Sequence, residues 1–180
     1  MGNTHNSNFE KSEISDLIKD IKFTKMYLQN YSDQYHITQK QKESKLQKVK
    51  NTDNTALIKL LEQLIKYHIN IKNLCDYICS VLDEIMNLVD SIENESIDDK
   101  TTVLTKFMYI INVFDNTSNK FHIGFKKNIY PRLVSINSKL KIIFESKVFE
   151  NKSSMLKKEE IVLSTKEFLD KIDLQWTCPI

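Results

Sequence analysis

Apolar side chains recur every three or four residues along most of the chain, with polar and charged side chains between them. This period matches the 3.6-residue turn of an α-helix and differs from the two-residue period of a strand. The clearest stripe predicts a helix over about 55–94, with Asp53 or Asn54 as its N-cap. Its apolar positions are Leu57, Leu61, Leu64, Ile65, Ile71, Leu74, Ile78, Leu82, Ile85, Val89 and Ile92.

A second apolar stripe, from Ile14 to Tyr35, predicts a helix near the N-terminus. Ser7 and Glu10 stand at the spacing of a capping box, in which the two side chains accept hydrogen bonds from free backbone N–H groups. We therefore expect a helix over about 8–35, preceded by a flexible arm over residues 1–7.

A polar, Lys-rich segment follows at residues 36–54. It is either a solvated helix that begins after Thr38 or a mobile connection between two helices. Its basic side chains could contact phosphates or anionic lipid, but Glu43 dilutes the charge and aromatic stacking partners are missing. A solvated helix face is therefore the simpler interpretation of the run, which consists of Lys40, Lys42, Lys45, Lys48 and Lys50.

The third stripe extends from Phe107 to Ile143 and keeps one face across a glycine and a proline. Because proline removes a backbone hydrogen bond, we expect one long helix with a kink near Gly124–Pro131. The alternative is two helices separated by a break at Asn116–Asn119. A last pattern predicts a short helix over about 154–173, followed by a C-terminal tail over 174–180.

Turn-forming residues are scarce, since the 180 residues include only two Gly and two Pro. Sheets and tight turns usually need more of both, so the predicted fold class is all-α. Short connections between long helices favour antiparallel neighbours. We predict an elongated antiparallel helical bundle with coiled-coil character and about four main helices, forming a single domain over 8–173.

The charge balance excludes some function classes and suggests a compartment. A net charge of +2 gives no field that would steer the chain onto nucleic acid, and Arg132 is the only Arg. Charges interrupt the first thirty residues, so no signal-peptide core is expected. The longest apolar run, Phe107–Phe114, is too short to span a bilayer. We expect a cytoplasmic protein that contacts membranes only peripherally.

The three cysteines are too few for a disulfide framework, but two of them suggest a metal site. His68, Cys75 and Cys79 lie along one side of the second helix, at spacings of seven and four residues. Cys and His side chains are zinc ligands, although a tetrahedral site needs a fourth ligand from elsewhere. Core packing explains these residues more simply, and we predict no cofactor.

The two ends of the chain carry candidate interaction residues. Gly2 would be the acceptor of an N-myristoyl group, although Asn6 stands where the usual pattern has Ser or Thr. In the tail, Trp176 is the only Trp, and large aromatic side chains are favoured anchors in interfaces. With Leu174 and Ile180, it either binds a partner or folds back onto the bundle end.

Known catalytic motifs are missing: there is no Glu-x-x-His, His-Glu-x-x-His, phosphate-binding loop or nucleophile elbow. We therefore expect a non-catalytic adaptor, scaffold or assembly subunit whose apolar helix faces bind another protein or another copy of the chain. The alternatives are an N-myristoylated peripheral membrane protein and a helical regulator that binds a partner helix, such as a virus-encoded cell-death inhibitor. A cryptic metal-dependent enzyme is the remaining alternative.

Overall fold

Four α-helices account for nearly all of residues 3–90, 97–116 and 121–144, which is the part of the chain that the computed structural model describes. No strand occurs in these ranges. The predicted all-α fold is confirmed, and the helices form a bundle. They are α1 (Asn3–Val49), α2 (Thr55–Asp90), α3 (Ile97–Asn116) and α4 (Ile123–Phe144).

The first helix is longer than predicted at both ends. It begins at Asn3, so Ser7 and Glu10 lie inside the helix and residues 3–7 are not an unstructured arm. Its other end is Val49, so the Lys-rich segment is mostly helix rather than a connection. Its side chains are mainly polar but include no Pro or Gly, so nothing in the sequence stops the helix earlier.

A short turn over residues 50–54 joins α1 to α2. The Thr52 hydroxyl donates a hydrogen bond to the Val49 carbonyl oxygen at 2.6 Å. The Asn54 side-chain oxygen accepts a hydrogen bond from the Leu57 backbone N–H at 3.2 Å, which is the geometry of an N-cap. Asn54 therefore caps α2, which is one of the two caps that the sequence offered.

The kinked third helix was predicted wrongly, because the chain forms two helices here and Pro131 lies inside the second of them. The break falls between Asn116 and Ile123, close to the predicted alternative. Across it, the rings of Phe114 and Phe121 stack with their centroids 4.7 Å apart. The chain reverses here, since Tyr130 of α4 contacts Asp115 of α3, and both helices turn their apolar stripes to one core.

Side-chain pairs between helices show an antiparallel arrangement. Lys25 pairs with Asp83, and the Ser32 hydroxyl donates to the Asp76 carboxylate at 2.7 Å, so numbers rise on α1 as they fall on α2. The same holds between α1 and α4, where Lys139 pairs with Asp20 and the Asn128 amide donates to the Tyr31 hydroxyl at 3.3 Å. Lys106 of α3 contacts Glu84 of α2 at 3.4 Å.

The core runs along the inside of the bundle and takes residues from all four helices. In α2, eight of the ten predicted stripe positions that the structure describes are buried, and the eleventh, Ile92, lies outside the described residues. Three Phe side chains, Phe107, Phe114 and Phe125, are among the largest fully buried groups. Burial of this apolar surface is the main favourable term in folding. The α2 stripe residues buried here are Leu61, Leu64, Ile71, Leu74, Ile78, Leu82, Ile85 and Val89.

None of the helices in the described ranges has an apolar stretch long enough to cross a bilayer. The predicted helix over 154–173 and the tail over 174–180 lie outside the described residues.

The fully buried position of Ile78 makes it a test of the core. The Ile78→Ala variant should lose about 2–5 kcal/mol of unfolding free energy, because it removes apolar contacts and leaves a cavity. Urea unfolding followed by circular dichroism measures the loss. The matched control is Ile142→Ala, at a position 63% exposed, which should change stability by less than about 0.5 kcal/mol. Equal losses of unfolding free energy in the two variants would contradict the burial of the Ile78 side of α2 and the exposure of Ile142 on α4.

Candidate functional site

A cavity of about 320 Å³ opens where α1, α2 and the start of α4 meet. Its volume lies at the lower end of the range for small-molecule pockets, about 300–1,000 Å³. Its lining is mainly aromatic, with a few polar groups. We call it the aromatic cavity, and its lining residues are Tyr31, Gln34, Tyr35, Thr38, Tyr67, His68, His122, Gly124 and Phe125.

The helical spacing and the chain reversal together build this cavity. Tyr31 and Tyr35 are one turn apart on α1, so their rings lie on the same face. The Tyr31 ring meets the Phe125 ring edge to face, with centroids 5.0 Å apart at 88°. The Tyr35 and Tyr67 rings also meet nearly edge to face, at 6.5 Å and 79°. Such T-shaped contacts are favourable because a ring edge is electropositive and a ring face electronegative.

Hydrogen bonds fix the segment that leads into α4 against the cavity wall. The His122 backbone N–H donates to the Tyr67 hydroxyl at 3.2 Å. The Gly124 N–H donates to His122 Nδ1 at 3.3 Å. The start of α4 therefore lies at the level of Tyr67, and the N-terminal turns of α2 extend past it.

His68 is a half-buried polar residue in the lining of the aromatic cavity. Its ring centroid is 5.6 Å from that of Tyr35. Burial lowers the pKa of His68 below the ordinary 6.5, and the Lys42 ammonium lowers it further. Its Nδ1 atom is buried and has no hydrogen-bond partner among the described residues. A neutral imidazole of this kind can accept or donate a hydrogen bond to an occupant of the cavity.

A second depression, of about 340 Å³, lies between α1 and α4 on the outside of the bundle. Its lining is polar and contains the only Arg of the chain. We call it the arginine groove, and its lining residues are Asp20, Thr24, Lys127, Asn128, Pro131, Arg132 and Ser135.

Two contacts hold the guanidinium group of Arg132 in place. It stacks over the Tyr27 ring, with the guanidinium carbon 4.2 Å from the ring centroid. Its Nε donates to the Asn128 side-chain oxygen at 3.3 Å. The two Nη groups are not used by these contacts. Because the Asp20 carboxylate pairs with Lys139, Arg132 and Lys127 leave the groove positive.

The predicted metal candidates do not come together as a site. Cys75 is buried in the core, and the Cys79 thiol donates to the Lys25 carbonyl oxygen at 3.9 Å. Burial raises the pKa of the Cys75 thiol, and it raises that of Cys79 to about 11, whereas metals bind the thiolate. His68 lies at the aromatic cavity instead. In the described ranges, no group of three or more His, Cys, Asp or Glu side chains could hold a metal ion.

The basic run lies at the C-terminal end of α1 and in the turn that follows. Lys40 pairs with Glu43 at 3.3 Å, and Lys42 lies close enough to His68 to lower its pKa. The other three, Lys45, Lys48 and Lys50, are exposed. These positions agree with a solvated helix end and form no enclosed phosphate site. Gly2, Leu174, Trp176 and Ile180 lie outside the described residues.

Sequence reasoning missed both depressions, for a physical reason. Tyr27 and Arg132 are far apart in the chain, and only the antiparallel packing of α1 on α4 brings them together. Tyr67 and His122 are also far apart in the chain, and the packing of the start of α4 against α2 brings them together. The only sequence signal was the one-turn spacing of Tyr31 and Tyr35, which marks a helix face but not a cavity.

No known protein family, curated protein or solved structure matches this chain.

The lowered pKa of His68 predicts a pH dependence of stability. The unfolded chain takes up a proton near pH 6.5 that the folded His68 resists, so acidification below about pH 6.5 should reduce the unfolding free energy. Above that pH, His68 is neutral in both the folded and the unfolded chain, and its contribution to the unfolding free energy no longer changes with pH. Urea unfolding between pH 5 and 8 measures how steeply the unfolding free energy falls with decreasing pH. This slope should be smaller in His68→Gln than in the wild type. The control His36→Gln changes an exposed histidine and should keep it. An unchanged slope in His68→Gln would refute the assignment.

The surroundings of the two helix-α2 thiols predict low reactivity. Because the pKa of Cys79 rises from 9.0 to about 11, its thiolate fraction near pH 8 falls on the order of a hundredfold. Cys75 should react more slowly still, since it is buried. Iodoacetamide labelling, with each site read by peptide mass spectrometry, should show both cysteines protected in folded protein and labelled in urea. Rapid labelling of Cys75 in the folded protein would show that α2 is not packed as described.

Proposed function

We propose that this protein is a non-catalytic interaction protein that binds an acidic, amphipathic segment of a partner protein in the arginine groove. The observation that carries the proposal is the arrangement of Arg132, whose guanidinium is stacked on Tyr27 and held through Nε by Asn128. A guanidinium fixed in this way can donate two parallel hydrogen bonds to a carboxylate with little further loss of side-chain freedom.

The charge of the groove favours a carboxylate. Arg132 and Lys127 line it, and the one carboxylate in the lining, Asp20, pairs with Lys139. A partner's Asp or Glu side chain would pair with Arg132, which is itself half-buried, so the ion pair would be partly desolvated. Partly desolvated ion pairs of this type contribute more to binding than fully exposed pairs do.

Apolar side chains beside the groove supply a second component of binding. Phe23 of α1 is 55% exposed and lies one turn from both Asp20 and Tyr27. Met26, on the next part of the same outer face, is 45% exposed. An aromatic ring, a flexible apolar side chain and an Arg are residue types over-represented in interfaces. An amphipathic partner segment would therefore place its apolar side on Phe23 and its acidic side on Arg132.

A peripheral membrane protein acylated at Gly2 is the second candidate function. It rests on the sequence position of Gly2 and not on the geometry of the bundle. Co-expression with an N-myristoyltransferase, followed by intact-mass measurement, tests it directly. An unchanged mass would remove this candidate.

Substitution of Arg132 should weaken partner binding. In affinity purification from the source cell with quantitative mass spectrometry, Arg132→Ala should lose at least roughly 30-fold of a partner retained by the wild type, the effect of a hot-spot residue. Arg132→Lys should also lose the partner, because a Lys ammonium cannot donate two parallel hydrogen bonds to a carboxylate.

The matched control for this experiment is Lys141→Ala, which removes an exposed charge elsewhere on α4. It should retain the partner. The proposal is wrong if Arg132→Ala and Lys141→Ala retain the same proteins in the same amounts, or if the proteins lost lack an acidic amphipathic segment whose synthetic peptide binds the wild type.

A further inference from the structure

The walls of the aromatic cavity are rings that the bundle holds in fixed positions. Phe125 is 1% exposed and Tyr67 is 5% exposed, so both rings are anchored in the core. The Tyr67 hydroxyl accepts a hydrogen bond from the His122 backbone N–H at 3.2 Å. The Tyr31 hydroxyl accepts one from the Asn128 side-chain amide at 3.3 Å. Because these rings are already ordered, a ligand that packs against them pays little to arrange the walls.

The Tyr35 ring contacts each of the other walls of the cavity. Its centroid is 6.2 Å from that of Phe125 and 6.5 Å from that of Tyr67, with an angle of 79° in both pairs. Rings that meet close to a right angle present both faces and edges, against which a further planar ring packs favourably. The volume of about 320 Å³ is near the lower end for ligand pockets, which favours a molecule of one or two rings.

His68 gives this apolar lining a hydrogen-bonding group. Its Nδ1 is buried without a partner among the described residues, whereas buried polar atoms in folded proteins are normally hydrogen-bonded to protein, water or a ligand. The other histidine of the lining, His122, already uses its Nδ1 to accept from the Gly124 N–H at 3.3 Å. Burial lowers the pKa of His68, so its imidazole is neutral near pH 7 and has one acceptor nitrogen.

The charges around the cavity favour a neutral ligand. Aromatic rings at right angles can also surround a cation, which the ring faces attract. None of the described lining residues is an Asp or Glu, however, so the lining offers no carboxylate to balance a cation. The Lys42 ammonium is close enough to His68 to lower its pKa, and it would repel a second positive charge there.

We propose that the aromatic cavity is a binding site for a small, neutral, planar aromatic molecule whose N–H group donates a hydrogen bond to the His68 imidazole. The ligand class is that of nitrogen heterocycles with one or two rings, of which indole is the simplest two-ring probe. The cavity shares no lining residue with the arginine groove, and its binding of a small molecule is a separate function from partner binding there.

Indole and 1-methylindole test the proposal in the full-length wild-type protein. The two probes have similar shapes, but only indole carries an N–H donor. Isothermal titration calorimetry should give a Kd for indole on the order of 0.1–1 mM, as expected for so small a ligand. The Kd of 1-methylindole should be roughly three- to tenfold higher, which corresponds to the loss of one hydrogen bond. Tetramethylammonium chloride, the cation probe, should show no binding.

Two histidine variants assign the hydrogen bond to its acceptor. His68→Phe keeps a ring at this position and removes both nitrogens, so it should bind the two indoles with the same Kd. The matched control His36→Gln changes an exposed histidine next to Tyr35 in the sequence and should keep the preference for indole. Circular dichroism should show the same helix content in both variants. In the wild type, intermolecular nuclear Overhauser contacts should join indole to the rings of Tyr35 or Phe125.

Four outcomes would overturn the proposal, and three of them need only the wild-type protein. Indole does not bind, or 1-methylindole binds as tightly as indole, or tetramethylammonium binds and competes with indole. The fourth is a preference for indole that persists in His68→Phe, or an indole whose contacts lie with rings outside the aromatic cavity.

Discussion

Burial of the α2 stripe is the interaction on which the rest of the structure depends. This stripe contacts α1 on one side and α3 on the other, and the core residues Ile71, Ile78 and Ile85 are fully buried. Polar pairs such as Ser32 with Asp76 fix the register of α1 on α2, but they are partly exposed and contribute little stability alone. The apolar contacts supply most of the stability, and the polar pairs join α1 to α2 in the antiparallel register observed.

The chain reversal between α3 and α4 follows from the same requirement. The Phe107-to-Ile143 stripe can reach the core along its whole length only if it folds back, and the stacked Phe114 and Phe121 rings close that fold. The reversal then brings His122 to Tyr67 and Phe125 to Tyr31. The aromatic cavity is thus a consequence of how the core closes, at the point where α4 begins and the α1–α2 pair extends past it.

The two depressions differ in the interaction each one offers. The arginine groove offers a positive charge held rigidly by Tyr27 and Asn128. The aromatic cavity offers ring contacts and a neutral imidazole, since burial lowers the pKa of His68. A carboxylate would complement the positive charge of the groove, and a hydrogen-bonding group would complement the neutral imidazole of the cavity. Among the described residues, neither depression brings together three or more His, Cys, Asp or Glu side chains that could hold a metal ion.

The sequence by itself determined the helical class, the α2 stripe and an N-cap at Asp53 or Asn54, because these depend on residues close together in the chain. The structure selected Asn54. The sequence did not determine where α1 ends, since a polar helix and a polar connection have similar compositions. Tertiary structure alone decided the reversal at Phe121, because a stripe with an unbroken period fits one helix or two. It also decided the pairing of Tyr27 with Arg132 and the surroundings of His68. These contacts join residues far apart in the chain, and only packing sets their distances.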